Sequence, residues 1–187
     1  MRACEVHEVV GEAPPGVAQV VLAWADDDAH VDIDALTGGA AATVYRVEER
    51  PQWDHGVEKR GVEKHGVEEH GPTPEGVTRF SFVRRRAGLT REQFSDHWTN
   101  VHCPLARRHH PALWRYVQNI VVAPLTHGAP EIDGIAELGF RSMEDMSARM
   151  YDSPAGADII RADVRRFIDV GSGWRALTRP SWHAANP

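Results

Sequence analysis

Three observations on the 187-residue chain predict an α+β fold. Short runs of alternating apolar residues mark strands at 77–86, 114–123 and 132–141. Hydroxyl caps at Thr90, Ser142 and Ser153 open helical stretches between them. The marked elements then succeed one another as strand, helix, strand, strand, helix, strand. Hydrophobic residues are 42% and charged residues 26%, so a packed core is expected and wholesale disorder is not. A formal net charge of −6 makes a poor general binder of phosphate backbones, and no nucleic-acid partner is expected. The apolar stretch around Val17–Ala25 is too short to span a bilayer, and the N-terminus shows no long apolar leader. The expectation is a cytoplasmic protein without a membrane partner.

Val17–Trp24 is rich in β-branched residues and reads as a buried strand. Acidic Ala25–Leu36 suits a short helix ended by Gly38 and Gly39, and Ala41–Val47 alternates as a second strand. Residues 1–50 therefore look like a degenerate α/β half-repeat. Residues 51–75 read as a flexible linker, because 56–71 repeat Gly-Val-Glu-Lys/Glu-Arg/His with a helix-weakening glycine every fifth residue. His55, His65 and His70 flank or lie in it, at a spacing that matches no preorganised metal site.

From 76 to 179 the pattern is regular. Val77–Arg86 is a strand with Phe80 and Phe82 on one face. Thr90-Arg-Glu-Gln93 is a capping box, in which the Thr hydroxyl takes an orphan N–H and Gln93 reaches back. In the helix opened by that box, Phe94, Trp98, Val101 and Leu105 form the apolar stripe. Pro104 lacks an N–H and disfavours helical geometry at Cys103, so a kink or end is expected there. Strands Trp114–Ala123 and Ile132–Arg141, helices Met143–Tyr151 and Ala155–Ile168, and a strand Trp174–Thr178 complete the unit. Residues 180–187 read as a tail. The order βαββαβ is the ferredoxin-like plan.

The helix 90–103 holds the densest chemistry. On an ideal helix His97 and His102 lie about 140° apart on opposite sides of the stripe and cannot share one metal. His102 sits at the proline-broken end, where an imidazole is either a general acid/base or a histidine satisfied by a freed carbonyl. His97 reads as a boundary residue. Adjacent His109 and His110 point apart, and Asp145, Asp152 and Asp158 suit caps and solvated faces. No metal site and no cofactor is expected. Strand parity places Trp114, Tyr116, Gln118 and Ile120 together under the helices, with Ala136, Leu138 and Phe140. The other face, with Arg79, Ser81, Asn119 and Glu137, is mixed in polarity. It is expected to meet a second sheet, from a partner chain or from residues 1–50.

Leu89-Thr-Arg-Glu-Gln-Phe-Ser-Asp-His-Trp98 followed by Val101-His-Cys-Pro-Leu105 resembles the signature of the EthD family. Arg115-Tyr-Val-Gln-Asn119, Asp133-Gly-Ile-Ala-Glu137 and Asp152-Ser-Pro154 add to the resemblance, which covers roughly 77–178. It implies a dimeric α+β barrel, hence a homodimer, and a small-molecule lyase, cyclase, decarboxylase or accessory protein. The family histidine falls on His102, and the family Tyr and Asn fall on Tyr116 and Asn119. Gly139 and Ile120 depart from the pattern. The resulting expectation is a cofactor-independent enzyme, a lyase or cyclase, acting on an aromatic or polyketide-like carbonyl compound. His102 would move the proton and Tyr116 would hold the enolate. Phe80, His97, Trp98, Asn119, Glu137 and Phe140 would line the substrate site. A non-catalytic accessory protein and a cofactor-free monooxygenase are the alternatives.

Overall fold

The computed structural model describes residues 3–11, 13–17, 19–24, 39–55 and 76–181. The expected helix at 25–36, the pentad repeat at 56–71 with His65 and His70, and most of the tail lie outside the described residues. Seven antiparallel strands make one sheet: β1 (Ala3–Val9), β2 (Gln19–Trp24), β3 (Tyr45–Asp54), β4 (Val77–Val83), β5 (Arg115–Pro124), β6 (Gly134–Phe140) and β7 (Trp174–Ser181). Their order across the sheet is β2-β1-β7-β4-β6-β5-β3. The helices are α1 (Arg91–His97), a π-helical turn (Trp98–His102), α2 (Cys103–His109), α3 (Met143–Ala148) and α4 (Pro154–Phe167).

The expected caps are in place. Thr90 and Gln93 form the reciprocal box, Ser142 accepts from Asp145 N–H at 3.1 Å, and Ser153 accepts from Gly156 N–H at 3.0 Å. Each satisfies an orphan donor and fixes where its helix begins. Arg85 then ties the end of β4 to the start of β6, its backbone N–H and guanidinium both meeting the Asp133 carboxylate.

Among the described residues of 1–50, the strands join the same sheet and form no second layer. β1 and β2 extend the sheet beyond β7, and β3 extends it beyond β5. β3 also runs past the expected boundary at 50 to Asp54, and β7 runs to Ser181, two residues beyond the expected domain end. β1, which no sequence pattern predicts, joins β7 through Val6↔Ser181 to Val9↔Thr178. A register shift at Pro51/Trp53 turns Trp53 inward, where its indole N–H reaches Leu113 O at 3.0 Å and its ring meets Tyr116 edge-on. A bulge re-aims a side chain in this way by putting an extra residue on one strand.

The helix does not end at Pro104. Cys103 keeps right-handed helical angles, φ −58° and ψ −44°, and its N–H bonds to Trp98 O, five residues back. The wider turn shifts the carbonyls out of register with the proline ring, so Pro104 enters the first turn of α2, where a missing N–H costs little. The same widening rotates the residues beyond it. Phe94, Trp98, His102 and Ala106 form the buried stripe, while Val101, expected inside, is 40% exposed.

The helices cover one face of the sheet. Phe94, Trp98, Ala106 and Phe167 pack on Val77, Val83, Tyr116, Ala136, Phe140 and Leu177. Each fully buried side chain of this size contributes roughly 1.5–3 kcal/mol before the entropy cost is set against it. Gly134 leaves room for the Trp98 ring, because a Cβ there would collide with it. On the opposite face Phe80, Asn119, Glu137, Ala176 and Thr178 are buried within one chain. The central strands are thus buried on both sides.

Candidate functional site

The sheet divides the expected site residues between its two faces. Arg79 pairs with Leu138 and Ser81 with Ala136, which places both on the helix side and not with Asn119 and Glu137. Phe80 pairs with Glu137, so Phe80, Asn119 and Glu137 share the far face. They cannot line one pocket with His102, Trp98 and Phe140, which lie on the helix side. The far-face group forms its own polar cluster. Asn119 Nδ2 and Arg115 Nη1 both donate to the Glu137 carboxylate at 2.6 Å, and Arg115 also meets Asp54 at 3.4 Å. Asn119 finds its partner on its own face and does not join His102. Gly139 stands opposite Arg115, close enough that an added Cβ would press on the arginine stem. His7 and Phe80 meet edge-on there at 5.0 Å, and Thr178 joins His7 at 3.2 Å.

On the helix face the structure brings together a pair that ideal helical geometry separates. His97 Nε2 and His102 Nδ1 each lie 2.9 Å from the two oxygens of Asp163. Bonding from residue i to i+5 in the π turn stacks residues five apart, which removes the expected 140° separation. Asp163 is 3% exposed and His102 7% exposed, so these two are shielded from water, while His97 stands at the edge with its side chain 23% exposed. Burial pushes the Asp163 pKa up, but the hydrogen bonds from His102 and His97 outweigh it and hold the carboxyl below its usual range. Phe167 stacks on His97 at 4.8 Å and leans on His102 at 5.1 Å.

Sequence reasoning misses Asp163, although its signal is present. Ile160, Asp163 and Phe167 recur at helical spacing on the buried face of α4, and a lone acid on an apolar stripe demands a partner.

Tyr116 is fully enclosed beneath Trp98, and its hydroxyl accepts the indole N–H at 2.7 Å rather than meeting His102. Burial pushes its pKa well up, so it stays a neutral phenol. Its place is a support for Trp98. Cys103 donates to Gln52 at 3.1 Å, and burial raises its pKa, which disfavours the reactive thiolate. His109 bonds Asp152 at 3.0 Å and His110 bonds Met150 O at 2.6 Å, so the two adjacent rings point to different partners as expected.

A groove of about 620 Å³ opens between α3, the N-terminus of α4 and β4. Its walls include Arg79, Met146, Met150, Tyr151, Ala157 and Arg161, and His102 is not among them. Among the described residues no cluster of three or more His, Cys, Asp or Glu side chains is placed to hold a metal ion. No helix among them is long and apolar enough to cross a membrane.

Fold and site together define an α+β domain with helices on one sheet face and a carboxylate clamped between two histidines. Residues 86–171 match the family model of the EthD domain, so this part of the chain carries an EthD domain. The matched segment holds His97, Trp98, His102, Tyr116, Asn119, Glu137, Phe140 and Asp163, and leaves out Phe80. No curated protein and no solved structure matches the chain. An EthD domain points to a small-molecule role.

Proposed function

We propose that this EthD domain binds an aromatic or polyketide-like carbonyl compound and moves the proton α to its carbonyl, with His102 as the general base. The observation that carries the reading is the 2.9 Å bond from His102 Nδ1 to the buried Asp163 carboxylate. A carboxylate on one ring nitrogen holds the imidazole in place and leaves the other nitrogen as the base. In the step, His102 takes the proton and the C–H electron pair becomes the enolate, which a cyclisation or dehydration then consumes; in a decarboxylation the C–C pair left by departing CO₂ becomes the enolate, and protonated His102 supplies the proton to its α carbon. The proton returns from His102 when the product forms. No cofactor is needed for this chemistry. Oxygenation of an electron-rich enolate is the variant that would consume O₂.

The strand order β7-β4-β6-β5 within residues 77–181 supports the ferredoxin-like reading. The burial of Phe80, Asn119, Glu137 and Ala176 in a single chain favours a sheet face closed without a partner over a face-to-face homodimer.

The test is deuterium exchange at the α position of a panel of aromatic β-dicarbonyl compounds, followed by NMR. The wild-type chain should accelerate exchange. His102→Gln, which still donates to Asp163, should lose about 10²–10⁴-fold of the acceleration with native circular dichroism. Full retention removes His102 from the mechanism. A second reading, an accessory protein that only binds its compound, draws on the groove beside Tyr151, whose walls leave His102 out. Saturation transfer from protein to compound without exchange would select it.

A further inference from the structure

The shared carboxylate carries an inference about His97 that rests on the acid–base role proposed for His102. Asp163 is ionised, and an ionised carboxylate only accepts hydrogen bonds. Both nitrogens that face it must therefore carry hydrogens: Nε2–H of His97 on Oδ1 and Nδ1–H of His102 on Oδ2. A neutral His102 then holds its lone pair on Nε2, which is the tautomer a free imidazole disfavours. With Oδ1 unoccupied, the carboxylate can turn about its Cβ–Cγ bond. His97 cannot turn easily, because its ring is stacked on Phe167 with an interplanar angle of 26°. The π turn is what brings it to the same carboxylate as His102.

We propose that His97 is a positioning residue: by occupying Oδ1 it locks the Asp163 carboxylate, and this fixes His102 as the Nδ1–H tautomer with Nε2 bare. It acts through Asp163 and needs no contact with the substrate. This role replaces the substrate-lining place that the sequence suggests for His97.

The experiment is long-range ¹H–¹⁵N correlation of histidine rings in the ¹⁵N-labelled full chain, which distinguishes the two tautomers directly. His97→Gln and His102→Gln assign the two rings by loss of their signals. Wild-type His102 should show the Nδ1–H pattern. His97→Phe keeps an aromatic ring against Phe167 but removes the bond, and His102 should move to the Nε2–H or an averaged pattern. His97→Gln carries an amide donor to Oδ1 and should restore the wild-type pattern. His97→Asn, too short to reach, is the second bond-deleting variant in case His97→Phe does not fold. An Nε2–H pattern at His102 in the wild type overturns the proposal. So does an unchanged Nδ1–H pattern in either folded bond-deleting variant. The tautomer is read without turnover: an unchanged pattern in the bond-deleting variants rejects the His97 role and leaves His102 as the base, an Nε2–H wild type counts against both, and failure of the exchange assay leaves the tautomer result standing.

Discussion

Replacing His110 by Asn should remove a specific part of the acid sensitivity of this fold. The ring donates Nδ1–H to Met150 O at 2.6 Å and packs on Tyr151 at 5.0 Å. Burial pushes its pKa from the ordinary 6.5 down to about 4. The Met150 bond opposes this, and repulsion from His102, Arg79 and His109, for the histidines only when they carry a proton, adds to the depression. The folded value lies below the unfolded one, so the unfolded chain takes the proton first. Stability is therefore complete above about pH 6.5, falls as the pH drops, and has lost this contribution by about pH 4. A gap of about 2.5 pH units at roughly 1.4 kcal/mol each gives about 3.5 kcal/mol, or ~2–3 once the ring's partial exposure is allowed for. Asn keeps a donor for the Met150 carbonyl and cannot be protonated. Urea unfolding at pH 7.5, 6, 5 and 4 measures the effect. The wild type should lose about 2–3 kcal/mol more than His110→Asn across that range. Parallel stability curves for the two chains would refute the reasoning.

Other substitutions test the packing and the site. Asp163→Ala leaves two imidazole N–H groups facing a void and should cost about 3–5 kcal/mol, a fall in Tm of roughly 6–20 °C by calorimetry. Gly134→Ala drives a methyl into the Trp98 ring and should cost about 1–3 kcal/mol, with the near-ultraviolet dichroism of the buried indole changed. Cys103, its thiol pKa raised by burial, should react with iodoacetamide much more slowly than a free cysteine at pH 8, and denaturant should restore the rate. Trp98→Phe removes the donor to the Tyr116 hydroxyl and should destabilise by about 1–3 kcal/mol in the same unfolding assay.

The helix starts are legible because caps are local: the Thr90 box and Ser153 each satisfy a donor within three residues, so sequence spacing alone finds them. The strands from 77 onward are legible because alternation reports a half-buried surface. The site is legible only in part. His102 stands out beside Pro104, but its partner lies sixty-one residues away, on a helix where Asp163 reads as one more acid. The face shared by Arg79 and Leu138 escapes the sequence because parity within a strand says nothing about register between strands.

By itself the sequence determined the βαββαβ order, the helix boundaries at 90 and 153 and the EthD resemblance, and it singled out His102 as a candidate. All of these rest on local bonding, on short periodicities or on motif spacing. The tertiary structure decided the rest, because those features depend on what packs across distances that no local pattern encodes. It set β1, β2 and β3 at the two ends of one sheet, where strand pairing closes backbone bonds that a free half-repeat would leave open. It also carried the helix through Pro104 on a π turn, and so brought His97 and His102 onto the one buried carboxylate.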